Sequence, residues 1–163
     1  MTSTVLELAE RIKGETVDLE NALNRALRAW QLANETAMDQ DIYLDSVALN
    51  LHGFYSGLER FFELIGKHID QNLPIGETWH RDLLERMAQD VTGVRPSVIS
   101  QESERQLDSF RRFRHLVRNL YATNLVPEKM ASLMDELPQL WPKLQKELLA
   151  FAKFLEYLAE EKD

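Results

Sequence analysis

Four arginines and a histidine are concentrated in one short stretch of this chain. The segment 109–127 contains no Asp or Glu, and its charged and titratable residues include Arg111, Arg112, Arg114, His115 and Arg118. Guanidinium groups match the geometry of a phosphate, and an imidazole is the side chain that exchanges protons most readily near neutral pH. The segment is therefore a candidate site for phosphate binding and proton transfer.

A helical projection at 100° per residue divides the stretch 110–121 into two faces. The apolar face holds Phe110, Phe113, Leu116, Val117 and Leu120. The other face holds Arg111, Arg112, Arg114, His115, Arg118 and Asn119, with Tyr121 at the border. Like charges three and four residues apart repel by about 0.2–0.5 kcal/mol per pair. An anionic ligand, or acidic groups from another helix or subunit, would relieve this repulsion.

Composition limits the classes of protein to consider. The chain has 163 residues, 44% of them hydrophobic, which predicts one domain over residues 1–163 with a substantial core. It has no cysteine, which excludes disulfides, thiolate metal sites and a cysteine nucleophile. The net charge of −8 argues against a protein that coats nucleic acid generally, so the basic segment stands out.

The apolar spacing is helical nearly throughout, and it predicts five helices. They are expected at about Ser3 to Asn34, from Asp39 or Asp41 to before Asn72, from Thr78 to before Thr92, from Ser100 to about Tyr121, and from Pro127 onward. Pro138 and Pro142 should kink the last helix or split it near Leu137. No segment alternates as a strand does. The predicted fold is all-α, an antiparallel bundle of four to five helices.

The location of the protein is predicted from what the sequence does not contain. The N-terminal residues show no secretory signal, and no apolar run reaches the length of a membrane span. We therefore expect a cytoplasmic protein without membrane contact. His52, His68 and His80 have no metal-ligand spacing, so neither a metal nor another cofactor is expected.

Two segments resemble the HepT-like branch of the HEPN superfamily, a family of helical nucleotide-binding domains. They are GFYSGLERFFELIGKHID followed by LPIGETWHRDLLERM, within 53–87, and FRRFRHLVRNLYATNL at 110–125. HEPN nucleases carry an Arg, four to six residues, a His, and often a Tyr two positions later. Arg114 and Tyr121 match this pattern, whereas Asn119 stands where the His is usual. His115 directly follows the Arg, where Asn is common, so Asn and His are exchanged.

The resemblance implies a HEPN-like bundle that forms a homodimer and cleaves RNA without a metal. Arg114 would stabilise the phosphorane, His115 would be the acid or base, Asn119 would orient the phosphate, and Tyr121 would contact the substrate. Further phosphate contacts are expected from Arg111, Arg118 and Arg81. The family also implies a minimal nucleotidyltransferase antitoxin as partner, which would adenylylate Tyr121.

The exchanged motif keeps two other functions open. One is a catalytically inactive HEPN module that binds nucleotide, RNA or a partner protein, because Asn119 cannot act as acid or base. The other is a structural bundle whose arginines pair with carboxylates, in particular from the first or fifth helix. Outside the motif, Arg81, His80 and Arg95 are either solvated surface groups or residues that line a groove beside the fourth helix, and the surface interpretation is favoured.

Overall fold

The computed structural model describes residues 2–119 and 127–161, which form five α-helices and one π-helical turn. The helices are α1 (Thr2–Glu35), α2 (Gln40–Ile65), α3 (Trp79–Met87), α4 (Gln101–Asn119) and α5 (Pro127–Glu161), and the π-helical turn Gly66–Asp70 continues α2. The described ranges contain no strand beyond one isolated bridge between Val91 and Arg95. The all-α prediction is confirmed, and the predicted boundaries lie within a few residues of those observed, except that the expected end of the fourth helix near Tyr121 lies outside the described residues.

The three long helices form the body of the bundle. α1 packs along α2 and α5, while α4 packs against α2, α3 and α5. The apolar residues of α2 recur at helical spacing and form a stripe that is buried, with Tyr55, Leu58 and Phe62 fully inaccessible to solvent. Burial of such a stripe stabilises a helix far more than its intrinsic propensity does.

The two prolines of the last helix do not split it. α5 is continuous over its 35 residues with Pro138 and Pro142 inside, so of the two predicted outcomes, a kink or a split near Leu137, the split does not occur. Both prolines lie on the exposed side of the helix. There, the carbonyl oxygens that lose a backbone donor can be hydrated. Leu137, Leu140 and Trp141 are buried on the opposite side and hold the two halves in register.

The connection from α2 to α4 is ordered by backbone hydrogen bonds. Gln71 adopts a left-handed conformation with φ of 55°, and Asn72 N donates to Gly66 O, which ends the π-helical turn. After α3, the amides of Val98 and Ile99 both donate to Met87 O, which returns the chain toward α4. Ser100, where the fourth helix was expected to begin, caps α4, since its Oγ accepts from Ser103 N at 3.1 Å.

Arg95 has a structural position that neither interpretation of the sequence anticipated. Its side chain is fully buried and forms an ion pair with Asp70, from Nε to Oδ1 at 2.6 Å. It is neither solvated nor part of a groove beside α4. The apolar residues Val98 and Ile99 of the same loop are buried as well, so this loop is part of the core.

Two glycines of α2, one helical turn apart, are expected to respond oppositely to alanine. A Cβ on Gly53 would have no atom within 4 Å, whereas a Cβ on Gly57 would lie 3.0 Å from Leu19 Cδ2, inside the α1–α2 contact. Gly53→Ala should raise the free energy of unfolding by about 0.5–1 kcal/mol. Gly57→Ala should lower it, because overpacking a core costs about 1–3 kcal/mol. Urea unfolding of both variants tests this, and equal stabilisation by the two would contradict it.

Candidate functional site

A groove runs between α4 and the segment that leads into α3. Its volume is about 580 Å³, and its lining includes Gly76, Trp79, His80, Arg81, Arg111, Arg114 and His115. Gly76 has a φ of 103°, which only glycine adopts readily, and it turns the chain into α3. The groove thus brings two imidazoles and three guanidiniums from two helices to one surface.

The amphipathic pattern predicted for α4 is confirmed where side chains are described. Phe110 and Phe113 are buried, Arg112 and His115 are exposed, and Arg114 is half-buried.

Three residues of the expected site cannot be placed with the others. Arg118 and Asn119 belong to the last turn of α4, but their side chains lie outside the described residues. Tyr121 lies outside them altogether.

The cationic face of α4 is not free of acidic partners, contrary to the expectation from the segment 109–127. Asp108 lies one residue before that segment, and its carboxylate accepts from Arg111 Nε at 2.8 Å and from Arg112 Nε at 3.1 Å. These spacings of three and four residues allow contact along one helix. Asp108 therefore relieves part of the predicted repulsion. Because 28% of its side chain remains exposed, a phosphate that enters the groove can compete with it.

Glu59 of α2 is the central group beneath the groove. Its side chain is only 4% exposed, its Oε1 lies 3.3 Å from a terminal nitrogen of Arg114, and its Oε2 lies 2.8 Å from His80 Nδ1. Arg114 Nε also donates to Ser56 Oγ at 2.8 Å. A buried carboxylate is stable only when it is paired. Here one carboxylate holds a guanidinium of α4 and an imidazole of α3 in fixed positions.

Arg114 retains the capacity to bind an anion while it makes these contacts. A guanidinium carries five N–H donors, and the two contacts described engage its Nε and one terminal nitrogen. The side chain is 16% exposed and lines the groove. The fixed orientation lowers the entropic cost of presenting the remaining donors to a phosphate.

His80 stands on the first turn of α3, where it stacks on its neighbour. The ring centroids of Trp79 and His80 lie 3.7 Å apart with an interplanar angle of 29°. Trp79 is partly buried against the core, and it also lines the groove. The stacking and the bond to Glu59 together restrict the imidazole to one orientation.

Tyr55 adds a neutral polar group under the site. Its hydroxyl is buried and has no hydrogen-bond partner among the described residues. Burial, and then the negative charge of Glu59, raise the pKa of the Tyr55 phenol far above its usual value. The hydroxyl therefore keeps its proton at neutral pH. One helical turn from Glu59, it is a donor that carries no charge.

The remaining arginines differ in their relation to the groove. Arg81 lines it but is 54% exposed, and its Nε lies 3.8 Å from Glu85 Oε1. Arg112 lies on another surface, a shallow groove between α4 and α5 that includes Lys129. Arg81, Arg111, Arg114 and His115 thus line one groove, and Arg112 is directed elsewhere.

Sequence reasoning did not identify Glu59 or Ser56 as members of the site, and it named His80 only in the less favoured interpretation, as a residue that lines a groove beside the fourth helix. A signal for Glu59 was present, because it lies four residues after Tyr55 on the buried stripe of α2. An acidic residue at a core-facing position requires a partner. The partner His80 is 21 residues away in the chain, and no local spacing could connect the two.

Metal and membrane sites are not supported by the described residues. No group of three or more His, Asp or Glu side chains in residues 2–119 and 127–161 could hold a metal ion. Within the same ranges, no helix combines the length and apolar character needed to cross a bilayer. The site consists of guanidinium, imidazole and carboxylate groups; guanidiniums can bind phosphate, and imidazoles can transfer protons.

The bundle and its groove define an all-helical protein of the HEPN type. The model of the HepT-like protein family matches residues 46–155, about two thirds of the sequence, and the chain belongs to that family. The match includes Glu59, His80 and the whole of α4. No curated protein and no solved structure matches the chain significantly.

Proposed function

We propose that this HepT-like protein is a metal-independent endoribonuclease of the toxin type, which acts through the groove between α3 and α4. The observation that carries the proposal is the convergence of Arg111, Arg114, His80 and His115 on that groove. Arginines can neutralise a phosphate whose charge rises during attack. Imidazoles can transfer the protons that the reaction requires.

The reaction proposed is an internal transesterification of RNA. The 2′-oxygen attacks the adjacent phosphorus and loses its proton as the P–O2′ bond forms, and the P–O5′ bond breaks as the 5′-oxygen gains a proton. The products are a 2′,3′-cyclic phosphate and a 5′-hydroxyl, and no redox partner is needed. Arg114 stabilises the phosphorane, Arg111 and Arg118 hold flanking phosphates, and Arg81 contacts the strand at the rim. His115 takes one of the two proton-transfer roles.

Arg114→Ala is expected to lower kcat for RNA cleavage by about 10²–10³-fold, the usual effect of removing one group that stabilises a transition-state charge. Arg112→Ala is the matched control, because this arginine lies two residues away on the same helix but outside the groove. Cleavage of total RNA and tRNA is measured with a metal chelator present. Equal cleavage by wild type and Arg114→Ala would contradict the proposal, as would cleavage of a 2′-deoxy substrate.

We also propose the two partners that the family implies, a second copy of this chain and an antitoxin. A homodimer in which two α4 helices face each other would join two grooves into one RNA-binding surface. A minimal nucleotidyltransferase antitoxin would neutralise the toxin by transferring AMP to Tyr121, near the end of the motif. The bulk and negative charge of the AMP group would then oppose binding of RNA phosphates.

A second candidate function is an inactive module that binds RNA or nucleotide in the same groove. It is favoured by Asn119, which replaces the usual proton-transfer residue, and by the ion pair that already occupies part of Arg114. Wild-type protein that retains RNA tightly without cutting it would support this alternative. In that case Asn119→His should produce cleavage, because only a proton-transfer group would be missing.

A further inference from the structure

The groove contains a second imidazole whose tautomer is set by a buried carboxylate. His80 Nδ1 lies 2.8 Å from Glu59 Oε2. An ionised carboxylate can only accept a hydrogen bond, so Nδ1 carries the proton and Nε2 of the neutral ring has a lone pair. With Nδ1 engaged, Nε2 is the nitrogen through which this groove-lining ring can reach a ligand.

The surroundings fix His80 as a preorganised group. The side chain is 25% exposed, so the ring is accessible from the groove, whereas the carboxylate behind it is 4% exposed. Trp79 covers one face of the ring at 3.7 Å between centroids. Arg114 holds the other oxygen of Glu59. A base oriented by a buried carboxylate is the arrangement that serves nucleophile activation in hydrolases of unrelated folds.

The chemistry of RNA cleavage requires two proton-transfer groups. One group must take the proton of the 2′-hydroxyl while another supplies a proton to the departing 5′-oxygen. The motif on α4 supplies one imidazole, His115, because the amide of Asn119 cannot accept or release a proton at neutral pH. Any second imidazole of the site must therefore come from outside the motif.

We propose that His80 is a catalytic residue, the general base of the RNase, and that Glu59 is its positioning residue. The assignment rests on the proposed RNase function. It adds α3, which carries His80, to the α4 helix that carries the motif. His80 Nε2 takes the proton of the 2′-hydroxyl as the P–O2′ bond forms. His115 gives a proton to the 5′-oxygen as the P–O5′ bond breaks. Return of both groups to their starting states requires only proton exchange with water.

The experiment compares cleavage by wild type, His80→Ala, His80→Asn and His68→Ala. His80→Asn keeps a donor at the position of Nδ1, so its contact with Glu59 and its fold are preserved while the base is lost. His68 is the matched control, because it is exposed on the π-helical turn and lines a different pocket. We expect both His80 variants to lose about 10²–10⁴-fold in kcat, with RNA affinity and thermal unfolding of His80→Asn close to wild type.

Two readouts separate a proton-transfer role from a structural one. Free imidazole should restore part of the activity of His80→Ala, because it can occupy the vacated space, but it should not restore the activity of Arg114→Ala. The ¹⁵N spectrum of wild type should show the His80 proton on Nδ1. Loss of activity without imidazole rescue, or a proton on Nε2 instead, would overturn the assignment.

The outcomes distinguish this assignment from the function on which it rests. If wild type cleaves RNA and the rate of His80→Asn is within about twofold of the wild-type rate, the role of His80 is overturned and the RNase proposal stands. If wild type binds RNA without cutting it, under conditions where Asn119→His cuts it, the role of His80 and the RNase proposal are both overturned. Cleavage by wild type, lost in both His80 variants and rescued by imidazole in His80→Ala, would support both.

Discussion

Glu59→Gln is expected to lower RNA cleavage by about 10²–10⁴-fold, although Glu59 itself lies beneath the groove and does not reach the substrate. Changing the carboxylate of a carboxylate–imidazole pair to an amide costs a serine protease about 10⁴-fold in kcat, because the imidazole adopts the wrong tautomer. The same effect applies to His80, whose Nδ1 faces Glu59 Oε2. A glutamine that turns its amino group toward Nδ1 would force the proton onto Nε2.

The loss of charge also affects Arg114. Its terminal nitrogen lies 3.3 Å from Glu59 Oε1, and without the carboxylate its position is set mainly by the bond to Ser56 Oγ. A hydrogen bond to a charged group contributes about 1.5–3 kcal/mol. Arg114 and His80 remain partly exposed and can be hydrated, so the loss in unfolding free energy should lie at or below the lower end of that range. The effect on cleavage should therefore exceed the effect on folding.

The control for Glu59→Gln is Glu63→Gln. Glu63 lies one helical turn further along α2, and it does not line the groove. Cleavage rates, urea unfolding and the ¹⁵N tautomer signal of His80 are measured for both variants. A Glu59→Gln protein that cleaves RNA at the wild-type rate, with the His80 proton still on Nδ1, would show that the carboxylate has no positioning role.

The fold was predictable because its information is local. The stripes of α2 and α5 repeat every three or four residues, and each stripe is buried as the pattern requires. Proline tolerance in α5 was not predictable in the same way. It depends on which side of the helix faces solvent, and Pro138 and Pro142 both happen to fall on that side.

Helical spacing alone could predict only the part of the candidate site that lies on one helix. Arg111, Arg114 and His115 are within one and a half turns of α4, so a helical projection places them together. Glu59 and His80 come to them from α2 and α3, and their contact depends on how three helices pack. Asp108 was also overlooked, because it lies one residue outside the acid-free segment. The helix nevertheless places its carboxylate against Arg111 and Arg112.

Arg95→Ala is expected to lower the free energy of unfolding by about 3–5 kcal/mol, the usual cost of removing one partner from a buried ion pair. Arg95 is fully buried and makes a bidentate contact with Asp70, at 2.6 Å from Nε and 2.9 Å from a terminal nitrogen. Its terminal nitrogens also donate to the carbonyls of Arg86, Gln89 and Pro96. Removal of the guanidinium leaves a buried carboxylate and these carbonyls without their donor.

Arg28→Ala is the comparison variant for urea unfolding, because Arg28 lies on the exposed side of α1. Substitutions at such surface positions usually change stability by less than about 0.5 kcal/mol. A second variant, Arg95→Met combined with Asp70→Leu, removes both charges. It should be more stable than Arg95→Ala, since no charge is left unpaired. A loss below about 1 kcal/mol for Arg95→Ala would mean that Asp70 becomes hydrated in the variant and is not left as an unpaired buried charge.

The contacts of Arg95 also affect the position of the groove residues. Arg95 joins Asp70, at the end of the π-helical turn after α2, to the carbonyls of Arg86 and Gln89 at the end of α3. It therefore fixes α3 relative to α2, and these two helices carry His80 and Glu59. If Arg95→Ala remains folded at low temperature, the His80–Glu59 contact should still loosen, and a shift of about 1 Å in a catalytic group can cost about 10²-fold in rate. A folded Arg95→Ala protein with unchanged cleavage would show that the groove is held in place without this ion pair.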